Sequence, residues 1–200
     1  YDSASAVVHD LPAPLFGGRV QLSNAAACVA VVHSLQGELP VAGSALARGI
    51  IRTQISARLE RRHLNGVEWI FDVAHNPAAA HVLAEELQRG VKPARTIAVF
   101  AAMADKDISG VIDALLPLVD HWLLTRADSE RGATENALLN VLAERCTVPV
   151  DVRPMVADAC DSAQSLAEEG DRVLVFGSCY MVGPAMTSLG LYCAPSSSDD

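Results

Sequence analysis

Aromatic residues and lysines are scarce in this 200-residue sequence. Phe, Trp and Tyr make up only 4% of it, so a core must be built mainly from Ala, Val, Leu and Ile. Only two of the 15 basic residues are lysines, Lys92 and Lys106, and 24 acidic residues give a net charge of −9. Nucleic-acid-binding proteins usually carry a dense basic patch, and the one short basic run lies at 58–62. We therefore predict no nucleic-acid partner.

Long apolar runs, a secretory signal and paired cysteines are also missing. No stretch approaches the roughly 18 apolar residues that span a bilayer, and the first residues lack the charged and apolar regions of a signal peptide. The cysteines show no C-x-x-C pair, which is typical of reduced thiols. We predict a cytoplasmic protein with no membrane partner and no metal site in this chain. The five cysteines are Cys28, Cys146, Cys160, Cys179 and Cys193.

Two common phosphate-binding motifs are absent. Neither lysine follows a glycine, so there is no G-x-x-x-x-G-K-[S/T] loop, and there is no G-x-G-x-x-G. If this chain handles a nucleotide, it does so without a standard phosphate cradle of its own.

From about residue 55, short apolar segments alternate with helical segments. The predicted strands are 68–73, 96–101, 121–125, 148–152 and 172–176. The predicted helices are 77–89, 108–118, 134–145, 155–169 and 181–189. This alternation predicts an α/β fold with a mostly parallel sheet covered on both faces, to which 58–63 can add an early antiparallel strand.

The first fifty residues have a different pattern. An irregular lead-in with two prolines and two glycines precedes a helix that Ser23 or Asn24 would cap and that ends near Leu35. A second helix is predicted over 41–53. We therefore expect a helical segment at 1–54, an α/β domain at 55–192 and a frayed Ser- and Asp-rich tail at 193–200.

Polar residues directly follow the first predicted strand of the α/β region. Asp72 can accept hydrogen bonds from ribose hydroxyls or an ammonium group, and His75 lies on the turn. Asn76 can cap the next helix, and Pro77 suits its first turn. A well-capped turn with a solvent-facing acid explains the same residues equally well.

Three later strands also run into polar loops. Lys106 could meet an anion beside the helix cap Asp107, although taken alone this segment is better explained as a solvated loop. Ser178 presents a hydroxyl after the tight turn at Gly177. The loop at 126–134 holds charges that we interpret as solvated, with Thr134 as a helix cap. Because loops that follow parallel strands share one sheet edge, their coincidence predicts a binding crevice there.

Covalent catalysis is an alternative interpretation of the same loops. Cys179 or Ser178 could act as a nucleophile, with His75 as base and Asp72 as its orienting acid. However, residue 180 is Tyr, so the G-x-S-x-G nucleophile elbow is missing. We predict that residues of this chain position ligands and that none is itself catalytic.

Four segments together resemble one family. Asp72-Val73-Ala74-His75-Asn76-Pro77 resembles the D-x-A-H-N-P motif of folylpolyglutamate synthases and bifunctional dihydrofolate synthases, which are related to the Mur ligases. Met103-Ala104-Asp105-Lys106-Asp107 resembles the family's M-x-D-K-D loop. Phe176-Gly177-Ser178 resembles its terminal G-S segment, and Leu22-Ser23-Asn24-Ala25-Ala26 its N-A-A stretch. The resemblance covers residues from about 20 to 190.

The resemblance implies a Rossmann-like three-layer carboxy-terminal domain, preceded at 1–54 by a short helical remnant of the family's central ATPase domain. It also implies an ATP-dependent ligase that uses Mg²⁺. In that family a carboxylate of dihydropteroate or folate becomes an acyl phosphate, and the amine of L-glutamate displaces the phosphate. The bacterial bifunctional members show the most similar form of the motifs.

The family's site residues carry over as follows. Asn24 matches the residue at the nucleotide base, Arg58 the one at the ATP phosphates, and Asp72 the acid at the ribose. His75 and Ser178 match positions associated with glutamate, and Asn76 and Lys106 would support them.

Two departures from the family pattern stand out. The family commonly has Pro-Gly before its phosphate-binding arginine, whereas Ser56-Ala57 precedes Arg58, so Arg61 and Arg62 remain alternatives. The P-loop and the Mg²⁺ ligands belong to an upstream ATPase domain that these residues do not include. We therefore expect a fragment that needs its missing ATPase domain as a partner and has little activity alone.

Two other functions fit the same loops. One is the carboxy-terminal domain of another Mur-type amino-acid ligase, although such enzymes lack the M-x-D-K-D loop. The other is a non-catalytic domain that binds a nucleotide or an amino acid at the same sheet edge.

Overall fold

The chain forms two compact units, residues 1–58 and 59–200. A computed structural model describes residues 2–3, 6–7 and 10–191. Cys193 and the predicted tail at 193–200 lie outside the described residues. Among the helices described, none has both the length and the apolar character needed to cross a bilayer.

The described residues of the first unit contain two helices and one pair of two-residue strands. Strands β1 (Asp2–Ser3) and β2 (Ala6–Val7) pair antiparallel, so the lead-in is not wholly irregular as predicted. Helix α1 spans Val20–Ser34 and α2 spans Gly43–Arg52.

The prediction that Ser23 or Asn24 caps α1 is wrong. Gly17 and Gly18 adopt φ values of 72° and 74°, and this left-handed turn lets the helix begin at Val20. Asn24 therefore lies inside the first turns of α1. The start predicted from the cap-forming residues Ser23 and Asn24 is about one turn too late.

The second unit is a six-stranded sheet with five helices in the described residues. Its strands are β3 (Glu60–Leu64), β4 (Val67–Asp72), β5 (Thr96–Phe100), β6 (His121–Leu124), β7 (Val150–Val152) and β8 (Arg172–Phe176). Its helices are α3 (Pro77–Arg89), α4 (Ile108–Leu115), α5 (Glu135–Ala143), α6 (Val156–Leu166) and α7 (Cys179–Ser188). A 3-10 turn at Leu116–Leu118 follows α4.

The sheet order is β3-β4-β8-β5-β6-β7, and only β3 runs antiparallel to its neighbour. The predicted α/β fold with a mostly parallel sheet is thus confirmed. Asn65 and Gly66, with φ values of 51° and 79°, form the tight turn between β3 and β4. Two successive positive φ values are typical of a type I′ hairpin, which explains the antiparallel edge strand.

Helices cover both faces of the sheet. On one face, α3, α4 and α5 pack in sequence against a cluster that includes Ile70, Phe100, Trp122 and Phe176. The rings of Phe100 and Phe176 lie 4.8 Å apart, and Trp122 meets Phe100 edge to face at 5.9 Å. Helices α6 and α7 pack together on the opposite face, which completes the three layers.

The direction of the chain across the sheet reverses once. From β4 to β7 the connecting helices all lie on one face, and α6 then returns the chain on the other face to β8, between β4 and β5. Right-handed crossovers require this change of face when the direction reverses. The chains that leave β8 and its two neighbours therefore run to helices on opposite faces of the sheet, which is the point at which open α/β sheets typically bind ligands.

Candidate functional site

The strand register places three loops at one level of the carboxyl edge. Asp72, the last residue of β4, pairs with Phe176 of β8, which also pairs with Phe100 of β5. Ser178 follows Phe176 by two residues. Asp72 and Ser178 consequently lie on the same edge, on adjacent strands.

Gly177 brings the loop after β8 against the loop after β5. Its φ is 118°, and a Cβ added there would lie 2.1 Å from the carbonyl oxygen of Ala101 and 2.8 Å from the Phe100 ring. Only glycine fits a backbone approach this close. The predicted tight turn at Gly177 is confirmed.

The loops after β4 and β5 also meet, at the start of the helices that follow them. A Cβ added at Gly110 would lie 2.7 Å from Cγ of Pro77 and 2.7 Å from Oδ2 of Asp107. The amino termini of α3 and α4 are therefore in direct contact, and the segments 72–77 and 103–107 adjoin.

Backbone hydrogen bonds link the loop after β6 to the others. The N–H of Ala104 donates to Arg131 O at 2.9 Å, and the N–H of Ala133 donates to Ala102 O at 2.8 Å. The N–H of Asp128 donates to Tyr180 O at 3.0 Å. The loops after β4, β5, β6 and β8 thus form one connected rim.

Side-chain caps start the helices that leave this rim. Asn76 Oδ1 accepts the Ala79 N–H at 2.9 Å, and Asp107 Oδ1 accepts the Gly110 N–H at 2.9 Å. The bond to Gly110 and a second from the Ser109 hydroxyl lower the pKa of Asp107. These two predicted caps are confirmed, as is Thr134, whose Oγ1 accepts the Ala137 N–H of α5 at 3.3 Å.

Two backbone amides hold the carboxylate of Asp72. Oδ1 accepts the N–H of Ala74 and Oδ2 accepts the N–H of Leu59, both at 2.8 Å. The side chain is half-buried. These bonds fix the orientation of the carboxylate at the end of β4.

The exposed ring of His75 is oriented by the backbone. Its Nδ1 lies 2.9 Å from Val73 O. Because a carbonyl oxygen only accepts, Nδ1 carries the proton, and Nε2 is the acceptor when the ring is neutral. In a catalytic triad the corresponding nitrogen donates to a carboxylate instead, so the geometry does not favour the nucleophile interpretation.

Ser178 is 3% exposed and caps α7. Its Oγ accepts the Tyr180 N–H at 3.2 Å, which starts the helix at Cys179, two residues before the predicted position. The hydroxyl proton of Ser178 is still available for donation, since the oxygen acts as acceptor in this bond.

Lys106 belongs to a charged cluster on the loop after β5. Its Nζ lies 3.6 Å from Asp105 Oδ2, and Nη2 of Arg131 lies 3.0 Å from the same oxygen. Desolvation acts to raise the pKa of Asp105, but its own backbone N–H and the charges of Arg131 and Lys106 lower it overall. The interpretation of the charges at 126–134 as solvated missed the ion pair between Arg131 and Asp105. The only indication of this pair in the sequence is that the two loops carry opposite charges.

The other two predicted nucleotide-binding residues belong to the first unit. Asn24 is exposed, and its Nδ2 donates to Gln21 Oε1 at 2.9 Å. Arg58 is exposed and follows Ala57, whose φ of 58° lies in the left-handed region that favours glycine. The alternatives Arg61 and Arg62 lie on β3, paired with Glu68 and Glu60.

No group of three or more His, Cys, Asp or Glu side chains that could hold a metal ion occurs in the described part of the chain. The four cysteines within that part are free thiols.

Comparison with known proteins gives consistent results. The family described as Mur ligase, glutamate ligase domain, matches residues 57–179. Dihydrofolate synthase/folylpolyglutamate synthase of Escherichia coli is 33% identical over 186 residues, which cover 93% of this chain and 41% of the relative.

Solved structures agree with this relationship. E. coli FolC in complex with DHPP and ADP superposes with a TM-score of 0.80 at 32% identity, over 94% of this chain and 43% of that one. A bifunctional folylpolyglutamate synthase/dihydrofolate synthase with Mn, AMPPNP and L-glutamate bound gives a TM-score of 0.79 at 29% identity, over 95% and 44%.

The chain spans about two fifths of the length of the curated relatives it matches. The family match nevertheless covers more than half of this chain, and the sheet, its order and the motif-bearing loops lie within it or directly beside it. This protein therefore belongs to the glutamate ligase domain family of the Mur ligases.

Proposed function

We propose that this chain is the carboxy-terminal portion of an ATP-dependent ligase that adds L-glutamate to dihydropteroate or to folates through an acyl phosphate. The observation that carries the proposal is the connected rim at the carboxyl edge, whose loops carry Asp72, His75, Lys106 and Ser178. The similarity to dihydrofolate synthase/folylpolyglutamate synthases supports the same reaction. The free thiols of the described cysteines are consistent with a cytoplasmic site for it.

The chemistry of three residues fits ATP. The fixed carboxylate of Asp72 suits a ribose diol, the guanidinium of Arg58 suits phosphate oxygens, and the amide of Asn24 suits a base edge. ATP would supply the phosphoryl group that activates the carboxylate of the folate substrate. The resemblance to the family places the Mg²⁺ ligands in the part of the relatives that this chain does not cover.

Three other residues fit the amino-acid substrate. The ammonium of Lys106 can pair with a glutamate carboxylate, and the Ser178 hydroxyl can donate to it. Neutral His75 can accept a hydrogen bond at Nε2 from the glutamate amine, and the cap at Asn76 keeps the turn that carries it in place. These residues would bind and orient the nucleophile, which contributes through proximity rather than through covalent chemistry.

Phosphate release tests the proposal. With ATP, L-glutamate and dihydropteroate, we expect no release from the 200-residue chain alone, because it lacks a P-loop. A fusion of the chain behind the amino-terminal portion of the E. coli relative should release phosphate only when all three substrates are present. Release by the chain alone, or a folded fusion without activity, would contradict the proposal. Activity with another carboxylate in place of dihydropteroate would indicate a different Mur-type ligase.

A substitution in the same fusion tests the glutamate site. His75→Ala should lower kcat/KM for L-glutamate at least about tenfold, which corresponds to the loss of one well-placed hydrogen bond. His81→Ala is the matched control, because His81 is also exposed and also bonds a backbone carbonyl, Pro77 O at 2.7 Å. Equal effects of the two substitutions would remove the support for a role of His75 in binding glutamate.

A further inference from the structure

A pocket lies at the amino edge of the sheet, opposite the rim at the carboxyl edge. It has a volume of about 390 Å³ and is formed where α3 ends and β5 and β8 begin. Strands of five residues, about 15 Å in length, separate this edge from the rim that carries Ser178. None of the residues assigned to ATP or glutamate lines it.

Arg172 supplies a buried cation to this pocket. The residue is 3% exposed. Its Nε donates to Glu68 Oε2 at 2.7 Å, and its Nη2 donates to Val91 O at 2.9 Å. Within the described part of the chain, Nη1 of Arg172 forms no hydrogen bond. The fully buried side-chain nitrogen and oxygen atoms that lack a partner there are Trp122 Nε1 and Thr125 Oγ1, so Nη1 is not fully buried. Nη1 is therefore a solvent-accessible donor on a residue that lines the pocket.

More positive than negative charges surround the pocket. Glu68 serves two guanidiniums, those of Arg172 and Arg61, so one carboxylate offsets two cations. Lys92 lines the pocket, is exposed and forms no ion pair among the described residues. Asp120 adds one carboxylate, whose Oδ2 accepts the Thr96 N–H at 2.8 Å. A cationic excess is notable in a chain of net charge −9.

The remaining walls are mostly apolar. Leu87, Pro93, Pro117 and Leu118 line the pocket beside the two cations. The volume falls within the range of roughly 300 to 1,000 Å³ that is typical of small-molecule sites, in which a few polar groups orient a largely apolar ligand. These side chains fit an oxyanion attached to an apolar body.

We propose that this pocket binds a small organic molecule that carries a carboxylate or phosphate group. Lys92 and Nη1 of Arg172 hold the oxyanion, and the prolines and leucines contact the apolar body. The site is separate from the glutamate and nucleotide site at the other edge, so it does not depend on the proposed ligase function.

An NMR titration of the 200-residue chain tests this site. Benzoate and phenyl phosphate are the two probes, and benzyl alcohol is the neutral control. We expect saturable amide shifts at residues 90–96 and at Arg172 with at least one anion, and none with the alcohol. The anion that saturates at the lower concentration identifies carboxylate or phosphate as the preferred group.

Matched substitutions distinguish binding at this pocket from a general effect of positive charge on the protein. Lys92→Met should weaken the binding of the better probe about two- to fivefold, as expected for the loss of one exposed ion pair. Arg126→Met removes the same charge from an exposed residue with no ion pair among those described, and should leave the affinity unchanged. Arg172→Lys keeps the charge but loses the fork, and should weaken binding while the chain remains folded.

The proposal is wrong if neither anion saturates below about 20 mM. It is also wrong if Lys92→Met and Arg126→Met weaken binding equally, or if the shifts appear at residues 72–76 and 177–180 instead. Should Arg172→Lys fail to fold, the comparison of Lys92→Met with Arg126→Met decides alone.

Discussion

The two edges of the sheet in the second unit use their polar residues differently. At the amino edge, most of the long polar side chains are paired: Arg172 with Glu68, Arg95 with Asp171 at 2.7 Å, and His121 by a hydrogen-bond contact with Asp151 at 2.8 Å. At the carboxyl edge, short polar side chains cap helices, the His75 ring is exposed, and the one charged cluster is formed by exposed or half-buried loop residues, Asp105 with Lys106 and Arg131.

The difference follows from the direction of the chain. In a parallel sheet with helical crossovers, every helix begins at the carboxyl edge, where its free N–H groups favour small caps and anionic ligands. The amino edge receives helix ends and the first residues of strands, and long side chains close it. The amino edge is therefore expected to be stabilised mainly by pairs of long side chains, and the carboxyl edge mainly by helix caps and close backbone contacts. Substitutions can test this division, and they are ordered here by the size of the expected effect.

The largest loss of stability is expected at Gly177, where two loops of the carboxyl edge are in backbone contact. Gly177→Ala should destabilise the chain by at least about 3 kcal/mol, because the new Cβ would lie 2.1 Å from Ala101 O at a φ of 118°. Gly49→Ala, in the middle of α2 with nothing within 4 Å of the new Cβ, should instead be neutral or stabilising. Urea unfolding measures both. A loss below about 1 kcal/mol for Gly177→Ala would contradict the tight packing of these loops.

Glu68→Gln should give the next largest loss, about 2 kcal/mol, because it leaves the buried Arg172 without its carboxylate. Burial acts to raise the pKa of Glu68, but the hydrogen bonds and charges of Arg172 and Arg61 lower it below the ordinary 4.5. A lowered pKa stabilises the fold above that value, and this contribution is lost as the pH falls through the folded-state pKa.

Unfolding of Glu68→Gln at several pH values checks both parts of this prediction. The variant should lose less stability than the original chain between pH 6 and the acid range. Glu85→Gln is the control, since its exposed pair with Arg89 on α3 should contribute no more than about 0.5 kcal/mol. Identical pH profiles for Glu68→Gln and the original chain would show that the amino edge does not depend on this pair.

Asn76→Ala should cost about 1 kcal/mol, because it removes the bond that caps α3. Asn140→Ala changes the same residue type at an exposed position inside α5 and should cost nothing. Thermal unfolding of the two variants provides the measurement. Equal melting temperatures would mean that the Asn76 cap does not contribute to stability and that Asn76 has another role at the rim.

Two histidines give the smallest and most direct comparison between the edges. His121→Ala should cost about 1 kcal/mol, since His121 is largely buried and bonds Asp151. His75→Ala should change stability by less than about 0.5 kcal/mol, because the ring is exposed. A larger loss for His75→Ala than for His121→Ala would reverse the proposed division between the edges.

Local chemistry made much of the fold predictable from the sequence. Helix α3 was predicted with its observed bounds because Asn76 and Pro77 fix its start. The buried strands β5 and β8 were predicted to within one residue, since both of their faces are apolar. The start of α1 was missed, because a turn at Gly17 and Gly18 replaced a side-chain cap.

Long-range placement was less accessible. The sequence places four polar loops after strands, but it does not show that β8 lies between β4 and β5. That order brings Ser178 beside Asp72, and the resemblance to a known family anticipated it more than periodicity did. The ion pair between Arg131 and Asp105 and the pocket beside Lys92 and Arg172 depend on contacts between distant segments, which no local pattern encodes.

The most direct test of the central claim is an NMR titration of the 200-residue chain with L-glutamate, with L-glutamine as the comparison. The account predicts amide shifts at residues 73–76, 104–107 and 177–180 that are larger with glutamate and that disappear in His75→Ala. Shifts absent from all three segments at saturating glutamate, or unchanged in His75→Ala, would contradict the claim that the carboxyl edge is the glutamate site.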